Sequence, residues 1–187
     1  TNNLHVARIL AANPQCEVVV AGGTVRHEDL GVVGEAALSF IRQFKVDIGL
    51  IGISGIEADG TLRDFDYREV KVARAIIEHS REVWLAADHS KFNRPAMVEV
   101  ANLSQIDRLF TDAEPPDPFP ALLADAQAWE VVTFEDEKLA PQGLGELAGV
   151  EVEVLLEPLP GLGDDVCMAT RRSGEHFREV DPLELEL

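Results

Sequence analysis

The sequence predicts an α/β chain with a mostly parallel sheet covered by helices on both faces. Three observations carry that expectation. Apolar runs of strand length alternate with segments whose apolar residues recur at helical spacing. The strand-length runs are apolar on both faces, as parallel strands between helix layers must be. Small or polar clusters follow three of the runs, at Gly22-Gly23, at Gly52 to Gly55 and at Asp88 to Lys91. Open α/β sheets bind ligands at such carboxyl ends.

Each element has a local reason. Asn2 or Asn3 can cap a first helix running to about Ala12, with Val6, Ile9 and Leu10 on one side and Asn13-Pro14 as its stop. Cys16 to Ala21 is β-branched and reads as a buried strand ended by Gly22-Gly23. His27 to Val33 reads as a loop or short edge strand. Gly34 to Phe44 has helical spacing at Ala37, Phe40, Ile41 and Phe44. Val46 to Ile51 is the next strand, and Asp66 to Ser80 a longer helix with Val70, Ala73, Ile76 and Ile77 on one side. Glu82 to Ala87, Met97 to Val100 and Ile106 to Phe110 follow as strands. After the breaker Pro115-Pro116-Asp117-Pro118 come a helix over Phe119 to Trp129 and a strand over Glu130 to Phe134.

Beyond Phe134 the pattern changes. Glu135-Asp136-Glu137 is a charge run, and Pro141, Gly143, Gly145 and Gly149 punctuate a loop-rich stretch. Val150 to Leu156 alternates apolar and acidic residues, and Asp165 to Arg172 with His176 to Val180 flanks a candidate hairpin turn at Ser173-Gly174-Glu175. The expected organisation is one domain over 1–134 and an acidic, loop-rich appendage over 135–187, a small antiparallel unit or partly disordered. The chain begins with Thr1 rather than Met, and Thr1-Asn2-Asn3 enters a helix at once, so the expectation is a fragment of a longer protein.

Charge narrows the function. Of a net −18, residues 1–134 carry 20 acids against 12 bases, a net of −8, and residues 135–187 carry 14 against 4, a net of −10. A nucleic-acid surface needs clustered Lys and Arg, so any DNA contact must come from residues outside this chain. Cys16 and Cys167 lie far apart with no metal-ligand spacing. No apolar run long enough to span a membrane and no signal peptide is present, so the expected location is the cytoplasm. No cofactor, metal or catalytic set is expected.

The strongest stretch for chemistry is Val46 to Glu69. A buried strand empties into Gly52-Ile53-Ser54-Gly55, a turn able to cradle an anion with backbone N–H groups. Asp64, Asp66 and Glu69 open the following helix, with Asp66 and Glu69 on one face. Acids are favoured there by capping and the helix dipole in any case. Lys91 is the candidate cation, in a turn organised by Asp88; His89 reads most simply as a turn residue. Arg26 and Arg68 could reach a phosphate or a partner subunit, and spacing alone does not decide between them.

The motifs T-N-N-L, A-G-G-x-x-R, G-I-S-G-I, D-F-D-Y-R-E-V and D-H-S-K-F, in that order over residues 1–134, resemble the effector-sensing domain of the DeoR family of bacterial transcriptional repressors. The D-F-D-Y-R-E-V and A-D-H-S-K-F segments favour the branch that governs glycerol-3-phosphate regulons. The resemblance implies a fold similar to ribose-5-phosphate isomerase and the CoA-transferase-like sheets, and an oligomeric repressor. It implies DNA binding through an N-terminal helix-turn-helix absent here, released by a small phosphorylated metabolite, here glycerol 3-phosphate. The implied effector residues are Thr1, Asn2, Gly22, Gly23, Gly52, Ser54, Gly55, Asp64, Asp66, Glu69, Asp88 and Lys91. For Thr1 and Asn2, helix capping is an equal explanation. Glu69 matches the general base of the isomerase relatives, but those relatives also carry acids in the turn that here has Ser54. An isomerase-like enzyme and an oligomerisation module with a vestigial pocket are the alternative readings.

Overall fold

Among the described residues a mostly parallel sheet and a smaller antiparallel sheet carry most of the strands, and a two-stranded hairpin forms a third. The computed structural model describes residues 1–125, 131–133 and 167–169. The expected helix residues 126–129, the charge run 135–137, the strand 150–156, the turn 173–175 and the strand 176–180 lie outside these.

In order, the elements are α1 (Leu4–Leu10), β1 (Thr24–Val25), β2 (Val32–Val33), α2 (Glu35–Ile41), β3 (Val46–Gly52), β4 (Gly55–Ile56), β5 (Thr61–Asp64), α3 (Tyr67–His79), β6 (Ser80–Ala86), β7 (Val98–Asn102), β8 (Arg108–Thr111), α4 (Phe119–Asp125), β9 (Val131–Thr133) and β10 (Cys167–Ala169). The larger sheet has the order β10-β3-β6-β8-β9. Strands β3, β6, β8 and β9 run parallel, and β10 lies antiparallel on the outer edge of β3, Met168 opposite Gly49. In β6, Val83, Trp84 and Leu85 are all buried, so both faces of this strand are covered. The α/β reading with a mostly parallel sheet therefore holds.

The smaller sheet, β4-β5-β7, is antiparallel. Sequence reading did not anticipate it: Thr61 to Asp64 had no assignment, and Met97 to Val100 was expected among the parallel strands. The signal was present. Asp59-Gly60 is a hairpin turn pair. Gly60 adopts φ +84, and Glu57 N–H donates to the Thr61 carbonyl at 2.9 Å to close the loop. Helix α3 packs between the two sheets, against β3 and β7. Its Val72, Ala75 and Ile76 share one core with Ile51, Ile56, Leu62 and Leu85.

Cys16 to Ala21 is corrected. It belongs to no strand and is not buried throughout: Val19 is 50% and Val20 40% exposed. Its end lies against Thr1. The Thr1 amino group donates to the Val19 carbonyl at 2.8 Å and Ala21 N–H donates to the Thr1 carbonyl at 2.9 Å. That is the bonding of a single parallel bridge, too short to make a strand. Residues 27–33 are likewise sharper than expected. They close a hairpin in which β1 pairs antiparallel with β2, and β2 is buried.

Candidate functional site

The topology brings the predicted residues toward one edge. Helix α3 leads straight into β6 and so runs antiparallel to it, which sets its first turn on the side where the parallel strands end. Asp66 caps that turn, its Oδ1 accepting from Arg68 N–H at 2.9 Å. In the β4–β5 hairpin Gly55 lies opposite Arg63, so Ser54 and Asp64 each stand one residue beyond that pair. Both side chains are buried. Asp64 Oδ1 accepts from the N–H groups of Phe65 at 2.5 Å and Asp66 at 3.2 Å, fixing the approach to α3.

The centre of this region is a residue that spacing alone did not assign. Arg26, on the β1–β2 hairpin, pairs with Asp29 at 2.9 Å and with Glu69, and lies 3.5 Å from Asp66. Arg68 pairs with Asp66 from the solvent side at 2.7 Å. Asp29, Asp66 and Glu69 thus gather on Arg26, with the exposed Glu28 at 3.8 Å, and Asp29, Glu69 and the nearby Asp64 are buried. The electrostatics follow from that burial. Glu69 is pushed up to about 8, chiefly by desolvation, with Asp64 and Asp29 adding to the rise and Arg26 opposing it. Burial acts to lower Arg26, but Glu69, Asp29 and Asp66 outweigh it and hold the guanidinium charge more firmly. Asp66 is held below its ordinary value, first by its hydrogen bond from Arg68.

A second cluster follows β6 and β8. Asp88 caps a single 3-10 turn, His89–Lys91, by accepting from Ser90 N–H at 2.8 Å. Asp112, just after β8, accepts from His89 N–H at 2.6 Å and meets His89 Nδ1 at 2.6 Å. The imidazole is raised above its ordinary value by that hydrogen bond and the Asp112 charge. Burial acts to raise Asp112, but the His89 ring and backbone hold it below. Ile56 bridges Phe92 in parallel, which ties this turn to β4 and brings Lys91 to the same edge.

The other predicted residues sort by what they touch. Gly52 ends β3, and Ile53 and Ser54 are buried. The turn read as Gly52 to Gly55 is therefore shorter than expected, because Gly55 belongs to β4. A Cβ on Gly55 would stand 2.1 Å from the Arg94 carbonyl oxygen, so close backbone approach accounts for that glycine. Likewise a Cβ on Gly23 would meet the Val33 carbonyl at 2.7 Å, whereas Gly22 faces open space. Thr1 Oγ1 accepts from Asn3 N–H at 3.1 Å. Asn2 donates from Nδ2 to the Val32 carbonyl at 3.2 Å, and its buried Oδ1 meets no hydrogen-bond donor among the described residues. The cap of α1 is Asn3, not Asn2: its Oδ1 accepts from His5 and Val6 N–H, and its Nδ2 donates to the Asp29 carbonyl at 3.0 Å. A groove of about 240 Å³ between α2 and α3, with Glu35, Arg42, Lys71, Arg74 and Glu78 on its walls, lies along the later turns of α3, away from these residues. Arg74 there is held by the carbonyls of Glu99 and Val100.

Comparison with known proteins agrees with this architecture. Residues 1–113 match the family model described as the DeoR C terminal sensor domain. The glycerol-3-phosphate regulon repressor of Escherichia coli K12 is 50% identical over 125 residues, covering 67% of this chain and 50% of that protein. The protein of the same description from Haemophilus influenzae is 52% identical over 115 residues, covering 62% and 45%. The HTH-type transcriptional repressor CsqR of Escherichia coli K12 is 40% identical over 136 residues, covering 73% and 52%. The chain spans about half the length of the curated relatives it matches.

Proposed function

Since the chain belongs to the DeoR family through its C-terminal sensor domain, we propose that residues 1–134 are the effector-binding part of a transcriptional repressor and that the effector is glycerol 3-phosphate. The observation that carries this reading is the 50% identity to a repressor named for the glycerol-3-phosphate regulon. The geometry is compatible with it. A phosphorylated polyol needs N–H donors and a cation for its phosphate, and acceptors for its hydroxyls. The turn after β3 and Lys91 can supply the first, and Asp64 and the α3 acids the second. Effector binding would favour the state of the intact repressor that leaves DNA, through differential affinity for two conformations. DNA contact and assembly into oligomers belong to that intact protein.

Thermal unfolding tests the reading. A ligand at a hundredfold its Kd stabilises by about 2.7 kcal/mol, so glycerol 3-phosphate raises the midpoint while glycerol at equal concentration does not. Lys91→Ala removes a charge-assisted contact and weakens binding by roughly 1.5–3 kcal/mol, about tenfold or more. The raised Glu69 also suits a general base, so a pentose phosphate is included. Its turnover, with no shift by glycerol 3-phosphate, would establish an isomerase instead.

A further inference from the structure

Arg26 looks at first like a second seat for the phosphate: it is a guanidinium near the carboxyl edge of the sheet. Its surroundings argue otherwise. One end of the fork is held by Asp29 at 2.9 Å, and the other meets Glu69 and approaches Asp66. Asp29 is itself fixed, because its Oδ1 accepts from Gly31 N–H at 3.0 Å and its carbonyl accepts from Asn3 Nδ2 at 3.0 Å. The backbone closes the same turn: Arg26 N–H donates to the Gly31 carbonyl at 2.8 Å, and Leu30 N–H donates to the Arg26 carbonyl at 3.1 Å. The hairpin therefore presents a guanidinium whose fork is engaged by carboxylates, and these come from two separate elements. A phosphate could take Arg26 only by stripping buried carboxylates of their counter-ion, which is the costly direction for a buried pair.

We propose that Arg26 is a positioning residue. Seated on Asp29, it clamps the β1–β2 hairpin to the first turn of α3 and so sets the Glu69 and Asp66 carboxylates at the ligand-facing edge, without itself taking the ligand phosphate. The proposal rests on the reading of that edge as the effector site. It makes the hairpin part of the site, although no predicted effector residue lies between Thr24 and Val33. Through Asn3 it also links the cap of α1 to the carboxylates of α3.

A double-mutant cycle on the whole chain tests it. Calorimetry with glycerol 3-phosphate is run on the wild type, Arg26→Met, Glu69→Gln and the pair, together with amide hydrogen exchange without ligand. A clamp predicts that Arg26→Met weakens binding about tenfold or more, and that the same change costs much less in the Glu69→Gln background, because the carboxylate it positions is already gone. An undiminished loss from Arg26→Met in the Glu69→Gln background would make Arg26 a direct phosphate ligand and overturn the proposal, as would an Arg26→Met variant of unchanged affinity. Absence of any heat with the wild type overturns the effector reading alone. The clamp is then decided by exchange. In Arg26→Met, amides of residues 24–33 and of the first turn of α3 must exchange faster together; acceleration in the hairpin alone overturns it. If Arg26→Met does not fold, Arg26→Lys keeps the charge without the fork and is read in the same way.

Discussion

Two ion clusters lie toward the carboxyl edge of the parallel sheet, and they differ chiefly in burial. Around Arg26, Asp29 and Glu69 are almost wholly removed from solvent. At His89 and Asp112 the side chains are 68% and 44% exposed. Both join separate elements: the first ties the hairpin to α3, the second the turn after β6 to the end of β8. Water decides what each is worth. Exposed pairs are screened and contribute little, whereas removing one member of a buried pair strands a charge that nothing solvates. The buried cluster is thus built to hold geometry, and the exposed one to adjust it.

The largest expected effect breaks the buried side of this contrast. Arg26→Met strands Asp29 and Glu69 and is expected to cost about 3–5 kcal/mol of folding stability, read as a lower urea midpoint. The loss is greater above pH 8 than at pH 5, because Glu69 can neutralise itself by taking a proton. Asp112→Asn at the exposed pair shifts the same midpoint only slightly. Equal losses from the two variants would show that burial does not separate the clusters.

The second prediction uses Glu69 directly. Its folded value of about 8 stands above the ordinary 4.5, so the native state holds a proton that the unfolded chain has released. That contribution to stability is fully present below about pH 4.5, declines as pH rises, and is gone above about pH 8. The groups facing Glu69 are Arg26 and Asp29 on the hairpin, Asp64 on β5 and Asp66 on its own helix. Glu69→Gln removes this slope. The wild type should therefore lose stability relative to the variant between pH 5 and 8, measured as urea midpoints at several pH values. A constant difference across that range would mean that Glu69 is ionised throughout.

Strands β3, β6 and β8 and helices α2 and α3 were legible in the sequence because their signal is local: apolar runs, helical spacing and an aspartate at the cap. The acids of the α3 first turn were legible for the same reason. Arg26 was not, because 43 residues separate it from Glu69 and nothing in either neighbourhood encodes the meeting. Asp112 was missed likewise, 23 residues from His89. The failure at Cys16 to Ala21 has the opposite cause. β-branched residues favour extended backbone, but a strand also needs a ladder, and the bonds to Thr1 from Val19 and Ala21 do not build one. Gly55 is ambiguous in a third way, since a glycine demanded by packing reads in the sequence like a glycine demanded by a ligand.

That ambiguity gives the third prediction, intermediate in size. Gly55→Ala would drive a Cβ against the Arg94 backbone and should cost roughly 1–3 kcal/mol, the range for overpacking. Gly22→Ala, with nothing within 4 Å of the added atom, should change stability little. Chemical denaturation of both variants separates the packing glycine from the permissive one. A large loss from Gly22→Ala would point to a backbone requirement that the space around it does not reveal.

The smallest effect belongs to the exposed cluster, and its sign opposes the behaviour of an acid held by a cation. His89 is raised above its ordinary value by Asp112, so its contribution is fully present below about pH 6.5 and is lost as pH rises through the raised folded value. Near neutrality the bond between the two turns should therefore loosen as the imidazole gives up its proton. Proton NMR of the His89 ring follows this without any change in stability being needed. The wild-type midpoint should lie above that of Asp112→Asn, in which the carboxylate charge is gone. Since Asp112 also accepts from the His89 backbone N–H, the turn bearing Lys91 need not open when the ring is neutral. Loosening without opening suits a turn that positions a cation, and coincident midpoints in the two proteins would remove Asp112 from that role.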